Sequence, residues 1–146
     1  MKSTQKVTRV KLNIDQNNDY ILLGIVSSEA DYKLSLSLNK KFRISLKNIS
    51  PIKVIAENKT ELTFSRFSNH DKPADLMFCL VSNRSGKNYL LNKLKNIDYL
   101  FQIQDQDNEL NLNDITSNLR EVDTITAVFN IDFNSIKDKN LQYLTL

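Results

Sequence analysis

The chain has 146 residues, of which 40% are hydrophobic and 25% charged, and its net charge is +3. This composition is typical of one globular domain, and the charge is too small to indicate nucleic-acid binding by itself. One His, one Cys and two Gly exclude the common patterns of zinc sites, phosphate loops and internal disulfides. We therefore expect a single domain over residues 1–146, without a metal ion or a cofactor.

The first part of the chain predicts a strand followed by a helix. Apolar residues alternate with polar ones over 7–14, which is typical of a half-buried strand. An apolar segment at 20–26 then leads to Ser28, a residue type that commonly caps helices. We expect a helix over about 28–41.

The leucines of this segment leave an alternative open. Leu34, Leu38 and Phe42 are four residues apart, which favours a helix. Leu34, Leu36 and Leu38 also alternate, which is the pattern of a strand. A strand therefore remains the alternative for residues 28–41.

The middle of the chain is predicted to be rich in β-structure. Short apolar stretches at 52–56 and around 62–64 predict two strands, joined by a turn at 57–59. The continuous apolar run at 76–81 predicts a central strand that is covered on both faces. Residues 83–86 then reverse the chain.

The last third predicts a strand, a helix and a strand. Alternation from Ile97 to Ile103 indicates a strand, and helical spacing over 112–122 indicates a helix capped by Asn113. Alternation at Ile125, Ala127, Phe129 and Ile131 indicates the last strand, so 97–131 forms a ferredoxin-like half-unit. We expect an α+β fold with one antiparallel or mixed sheet of about five to seven strands and two main helices.

The residue types that carry catalysis lack the partners that they need. His70 lies in a polar loop beside Asp71, but no nucleophile can be named for it. Asp105, Asp107 and Glu109 alternate like the start of a calcium loop, yet the required Gly and the twelfth-position Glu are missing. We therefore predict no catalytic residue and no metal site.

The lone cysteine, Cys79, favours a cytoplasmic protein. Cys79 has no partner for an internal disulfide, and its apolar surroundings predict a buried structural thiol. The longest apolar run, 20–26, is far shorter than the roughly 20 residues of a membrane-spanning helix. The basic start of the chain is followed by no apolar stretch, so we expect neither a secretory signal nor membrane binding.

Positive charge is concentrated near the end of the predicted helix. Phosphate binding and base stacking need cations beside an aromatic ring, and lysines in a last helical turn also stabilise the helix dipole. Both interpretations stay open for the candidate contact residues Lys40, Lys41, Arg43 and Lys47, which surround Phe42 and Ile44.

Residues 91–99 resemble the signature of the bacterial IPExxxVDY family, which reads Ile-Pro-Glu, three variable residues, then Val-Asp-Tyr. Leu91 stands at the Ile position, Ile97 at the Val position, and Asp98 and Tyr99 match. The order of the other segments is also similar, so the resemblance covers most of the chain. It implies a small bacterial protein without an assigned activity.

Two departures limit what the resemblance implies. Asn92 replaces the Pro and Lys93 replaces the Glu, so only Asp98 and Tyr99 carry over. Alternation would point Tyr99 with Ile97 toward the core and Asp98 the other way. We expect a structural role for the Asp98–Tyr99 pair rather than a ligand-binding one.

The sequence favours a protein that acts through its surface. The leading hypothesis is a non-enzymatic cytoplasmic protein that binds itself or another macromolecule, with a homodimer across a strand edge or sheet face as the simplest form. A small-molecule-binding regulatory domain is the alternative by analogy of fold. Weak RNA binding through the basic group is the third hypothesis, and an enzyme is ranked last.

Overall fold

The computed structural model describes residues 20–69, 76–105 and 110–144. The strand predicted at 7–14 and the predicted loop residue His70 lie outside the described residues, as do Asp107 and Glu109. The strands are β1 (Tyr20–Ser27), β2 (Lys47–Ile55), β3 (Glu61–Ser68), β4 (Leu76–Ser82), β5 (Arg84–Ser85), β6 (Asn88–Tyr89), β7 (Tyr99–Asp105) and β8 (Ile125–Ile131). The helices are α1 (Asp31–Phe42) and α2 (Leu112–Arg120), and short 3₁₀ helices lie at Asn92–Leu94, Phe133–Ser135 and Lys139–Leu144.

Six strands form one antiparallel sheet in the order β2-β3-β4-β7-β1-β8, and β5 and β6 form a small separate hairpin. Strand β1 lies between β7 and β8 and is antiparallel to both, so β7 and β8 run in the same direction. Together with α2 they form the split β-α-β unit that was predicted for 97–131. The α+β class, the strand number and the two main helices are confirmed.

Apolar side chains cover both faces of the sheet. On the helix face, Leu34 and Leu38 of α1 and Ile115 and Leu119 of α2 are buried in one core. On the opposite face, which we call the cover face, a second core includes residues from the segments that follow β4 and β8. Strand β4 lies between β3 and β7 and is buried on both faces, as its continuous apolar sequence predicts. Neither helix of the described ranges is long and apolar enough to cross a membrane.

Helix α1 settles the alternative between helix and strand for its segment. Leu36 is 62% exposed whereas Leu34 and Leu38 are fully buried, which is the result of helical spacing. The predicted N-cap was wrong, since the helix begins after Ala30, and Ser28 lies outside it. Ala30 caps with no side-chain hydrogen bond, so the start of α1 depends on packing rather than on a capping residue.

The cap of α2 was also predicted at the wrong residue. The Asn111 side chain accepts hydrogen bonds from the backbone N–H groups of Asn113, at 2.8 Å, and Asp114, at 3.3 Å. Asn113 is therefore held by the cap and is not the cap itself. Asn111, two residues earlier, can act as the N-cap because its backbone is extended.

In β8 the predicted single-face alternation fails at the first residue. A register shift in the β1–β8 ladder between Val26 and Ser27 places Ile125 in the core of the helix face. Ile131 packs instead against the core of the cover face. The extra residue of a bulge changes the face of the side chains beyond it, and sequence alternation alone does not reveal this.

Candidate functional site

The loop that contains residues 91–97 is built around Asn83. Asn83 is fully buried; its Nδ2 donates to the carbonyls of Leu94 and Ile97, and its Oδ1 accepts from the N–H of Leu91, each at 2.9 Å. Residues 90–98, which we call the motif loop, are thus held at three points by one side chain. We predicted only a chain reversal here; a polar residue directly after a buried strand is the signal that could have identified Asn83.

The matched positions of the signature are buried or bonded within the chain. Leu91 is fully buried, and Ile97 and Tyr99 are 2% and 7% exposed. Ile97 belongs to the core of the cover face whereas Tyr99 belongs to that of the helix face. The prediction that both point the same way was wrong, because β7 begins only at Tyr99 and Ile97 still lies in the motif loop.

Asp98 joins three parts of the fold. Its Oδ2 accepts from the N–H of Ser27 at 2.9 Å, and its Oδ1 accepts from Nη1 of Arg84 at 2.9 Å. The hydrogen bond with Asp98 raises the pKa of Arg84, whose guanidinium also lies 5.8 Å from the ring centroid of Tyr89. The end of β1, the β5–β6 hairpin and the start of β7 therefore meet at one carboxylate.

Tyr99 attaches β7 to the connection between β1 and α1. Its hydroxyl donates to the carbonyl of Glu29. Burial, together with the nearby carboxylates of Asp31, Asp98 and Glu29, raises the pKa of Tyr99 to about 12. Both carried-over residues of the family signature thus bind to the chain itself.

Two shallow depressions, of about 340 and 320 Å³, lie beside this corner and share Ser82 and Arg84. Hydroxyl groups and charges of both signs line them, so they suit a small polar molecule better than an apolar one. The first is lined also by Ser27, Ser28, Glu29, Asp98 and Tyr99, and the second also by Asp31, Asn48, Ile49, Pro51, Thr63 and Ser65.

A larger cavity of about 440 Å³ lies between the β2–β3 turn and the segment near the end of the chain. Val54 and Leu62 contribute apolar surface, and Asn88, Asn92 and Lys139 contribute polar groups. In the described ranges, no group of three or more His, Cys, Asp or Glu residues could hold a metal ion.

The predicted structural cysteine and the acidic loop residue have local roles. Cys79 is 3% exposed, which confirms the buried thiol, and burial raises its pKa to about 11. Asp105 is 4% exposed, and its Oδ2 accepts from the N–H of Leu110 at 2.9 Å. Asp105, at the end of β7, is therefore hydrogen-bonded to the residue that precedes the N-cap of α2.

Phe42, the aromatic residue among the basic candidates, packs against other rings of the protein. The ring of Phe42 lies 6.1 Å from that of Phe78 and 6.0 Å from that of Phe101, within the core of the helix face. Phe42 is thus engaged in packing and does not offer its ring for base stacking. Lys41 forms an ion pair with Glu121, which connects the two helices.

The other basic candidates lie on the surface. Lys40 and Arg43 are exposed at the end of α1, and Lys47 is exposed at the start of β2. Arg43 has a left-handed backbone, with φ of 56°, and its N–H donates to the carbonyl of Asn39. These three residues place positive side-chain charge from the C-terminal end of α1 to the start of β2.

In the part of the chain that the structure describes, four large apolar side chains are exposed, and no sequence pattern marked them as surface residues. Tyr32 and Leu36 are 54% and 62% exposed on α1, Ile55 is 63% exposed at the end of β2, and Phe129 is 45% exposed on β8.

The two edges of the sheet differ in their protection. Edge strand β2 contains Pro51 and Lys53 and has a register shift between Ile49 and Ile52, all of which oppose pairing with another strand. Edge strand β8 reads Ile-Thr-Ala-Val-Phe-Asn-Ile, with no charged residue and no proline.

No protein-family model matches the chain, and no curated protein matches it.

Proposed function

We propose that this chain is a binding protein that forms a homodimer through the outer edge of β8. In the described part of the chain, β8 ends the sheet and has a strand neighbour, β1, on one side only. Its backbone N–H and C=O groups on the other side are a template for a further strand. The carrying observation is that this seven-residue edge has no charge and no proline.

The contrast with β2 supports the proposal. Natural sheets block free edges with prolines, lysines and bulges, and β2 has all three. Strand β8 also has a register shift, at its start opposite Val26 and Ser27, but it has neither proline nor lysine, so we infer that the rest of its edge is used for pairing. An antiparallel contact between two copies of β8 presents the same surface twice, which is the requirement of a two-fold interface.

Phe129 adds an apolar contact to this edge. It is 45% exposed and lies opposite Gly24 in the β1–β8 ladder, so no side chain covers it from that position. A second copy that continues the sheet would cover part of the ring and add burial to the backbone pairing.

Light scattering of the full chain after size-exclusion chromatography at micromolar concentration tests the dimer. The expected mass is twice the 16.9 kDa of one chain. Phe129→Lys should shift the protein to the monomer, because a lysine at the edge opposes strand pairing. Ile55→Lys is the matched control, since Ile55 is also exposed but lies on β2, and it should stay dimeric.

Two outcomes would overturn the dimer proposal. One is a wild-type monomer at every concentration, which would leave the β8 edge to another occupant, such as the strand predicted at 7–14. The other is a dimer that Phe129→Lys does not weaken.

We also propose that the chain belongs with the IPExxxVDY family and works in the cytoplasm. The departures Asn92 and Lys93 are exposed, whereas the matched positions are buried or bonded. Because the two departures from the signature are at exposed positions, they leave the contacts of the motif loop unchanged. The buried free thiol of Cys79 suits a reducing compartment. The structure of a member with Pro and Glu tests membership: a loop of a different shape would contradict it.

A small-molecule-binding regulatory domain is the second candidate, favoured by the two depressions that share Arg84. A thermal-shift screen against nucleotides and amino acids tests it. A ligand at a hundred times its Kd should stabilise the native state by about 2.7 kcal/mol. A screen without any shift would remove this candidate.

A further inference from the structure

We infer that the outer face of α1 docks a segment of another protein that presents apolar side chains next to carboxylates. Tyr32 and Leu36 are one helical turn apart, so their side chains are neighbours on one face. Lys40 continues the same side of the helix one turn further, and Arg43 follows the helix as its C-cap residue. We call these four residues the α1 stripe.

The apolar part of the stripe has no role in the core. The opposite side of α1 already buries Leu34 and Leu38, which fixes the helix on the sheet. Tyr32 and Leu36 nevertheless remain 54% and 62% exposed, and they account for two of the four exposed large apolar side chains in the described ranges. Scattered exposed apolar residues are ordinary, but adjacent ones on one helical face form a contact surface.

The charges of the stripe indicate the chemistry of its partner. Lys41 is neutralised by Glu121. Lys40 and Arg43 are exposed, and neither forms an ion pair with a carboxylate of the described ranges. A partner that covers Leu36 and carries negative charge near this end of α1 would therefore complement these two cations.

The polarity of the helix also fixes the orientation of the partner. Asp31 lies in the first turn beside Tyr32, whereas the basic residues lie at the other end. From Tyr32 to Lys40 the helix rises roughly 12 Å, and Arg43 lies just beyond its last residue, Phe42. The fitting segment is an acidic amphipathic one, with its apolar residues over Tyr32 and Leu36 and its carboxylates over Lys40 and Arg43.

This docking surface is independent of the proposed dimer, because α1 covers the helix face and the dimer uses the β8 edge. Variants of the stripe should therefore leave the dimer mass unchanged. Conversely, Phe129→Lys should leave peptide binding unchanged. Failure of either proposal is thus distinguishable from failure of the other.

Selection from a displayed library of random peptides of about the length of α1, against the full chain, tests the inference. Enriched peptides should combine Asp or Glu with aliphatic or aromatic residues. Fluorescence anisotropy of a selected peptide should show affinity lower by about tenfold or more for Leu36→Asp and for Arg43→Glu. Ile55→Asp is the matched control at equal exposure and should bind like the wild type.

Three outcomes would overturn the inference. The first is a selection without acidic amphipathic peptides, and the second is a selected peptide that binds Leu36→Asp as well as the wild type. The third is tight binding of a polyuridine RNA that Arg43→Glu abolishes, which would assign the stripe to nucleic acid. Since all three substituted residues are exposed, circular dichroism of each variant should match the wild type.

Discussion

Individual polar residues hold the corner of the sheet by using their hydrogen-bonding groups within the chain. Asn83 has three side-chain hydrogen bonds, to residues 8 to 14 positions away, and Asp98 has two, of which the one with Ser27 spans 71 positions. A buried polar group without a partner costs about 1–3 kcal/mol, so complete pairing is what makes such residues compatible with a core. This explains why the motif loop has a fixed shape although its regular secondary structure is limited to the short 3₁₀ helix Asn92–Leu94.

Tyr99→Phe should destabilise the protein at neutral pH by about 1 kcal/mol, because it removes the hydrogen bond to Glu29. The pKa of Tyr99 is about 12 in the folded chain, against 10.0 for a tyrosine in the unfolded chain. Between these pH values the unfolded chain loses the phenol proton first. The stabilisation from Tyr99 is therefore complete below pH 10 and is lost as the pH rises toward 12.

Urea unfolding of both proteins at a series of alkaline pH values measures this effect. The difference in free energy of unfolding between the wild type and Tyr99→Phe should shrink as the pH rises. Tyr32→Phe is the control at neutral pH, where it should change stability by less than about 0.5 kcal/mol because Tyr32 is exposed. A constant difference across the alkaline range would contradict the assignment.

At the scale of elements, the motif loop packs onto β1 through a glycine. A Cβ atom at Gly24 would lie 2.8 Å from Cδ1 of Ile97 and 2.9 Å from Cδ1 of Ile131. Gly24→Ala should therefore destabilise the protein by about 1–3 kcal/mol through overpacking. Ile97→Val removes one of the two obstructing methyl groups, so the double variant should cost less than the sum of the single variants.

Chemical denaturation of the four proteins of this double-mutant cycle measures the coupling. Gly86→Ala supplies the matched control, since Gly86 has a φ of +60° and a Cβ atom there would meet no atom within 4 Å. Its cost should come from the left-handed backbone alone and add to that of Ile97→Val. If the unfolding free energies lost in Gly24→Ala and Ile97→Val were simply additive, the motif loop would not be packed tightly against β1.

The elements that were predicted correctly from the sequence are those whose hydrophobic pattern lies entirely within their own residues. The run at 76–81 predicted the central strand β4, and helical spacing predicted α2. The features that were predicted wrongly depend on other segments: the bulge that turns Ile125 to the helix face requires pairing with β1, and the position of Ile97 depends on where β7 begins. The role of Asn83 likewise becomes visible only when its three partners converge.

For the candidate surfaces, the sequence located the basic residues but not the apolar ones beside them. Charge runs are visible in the sequence, so Lys40 and Arg43 were identified as contact candidates. Exposure of Leu36 and Phe129 depends on which helical face meets the sheet and on where the sheet ends. The partner that we propose for each surface is inferred from this arrangement and not from any motif.

At the scale of the whole molecule, the labelling rate of Cys79 measures whether the strands of the sheet unfold together. It is the single cysteine and lies in β4, between β3 and β7, with 3% exposure. With its pKa raised to about 11, only about one thiol in a thousand is ionised at pH 8, so the folded chain has almost no reactive thiolate. Labelling by a thiol reagent should therefore require unfolding of the sheet.

Asn83→Ala tests this coupling between the corner of the sheet and its centre. Loss of three buried hydrogen bonds should cost about 3 kcal/mol. Because 1.4 kcal/mol corresponds to a factor of ten, the labelling rate of Cys79 at pH 8 should rise by about a hundredfold. Asn88→Ala, at an exposed position of β6, should label like the wild type. A labelling rate that Asn83→Ala leaves unchanged would show that β4 opens locally, and the six strands would then not form one cooperative unit.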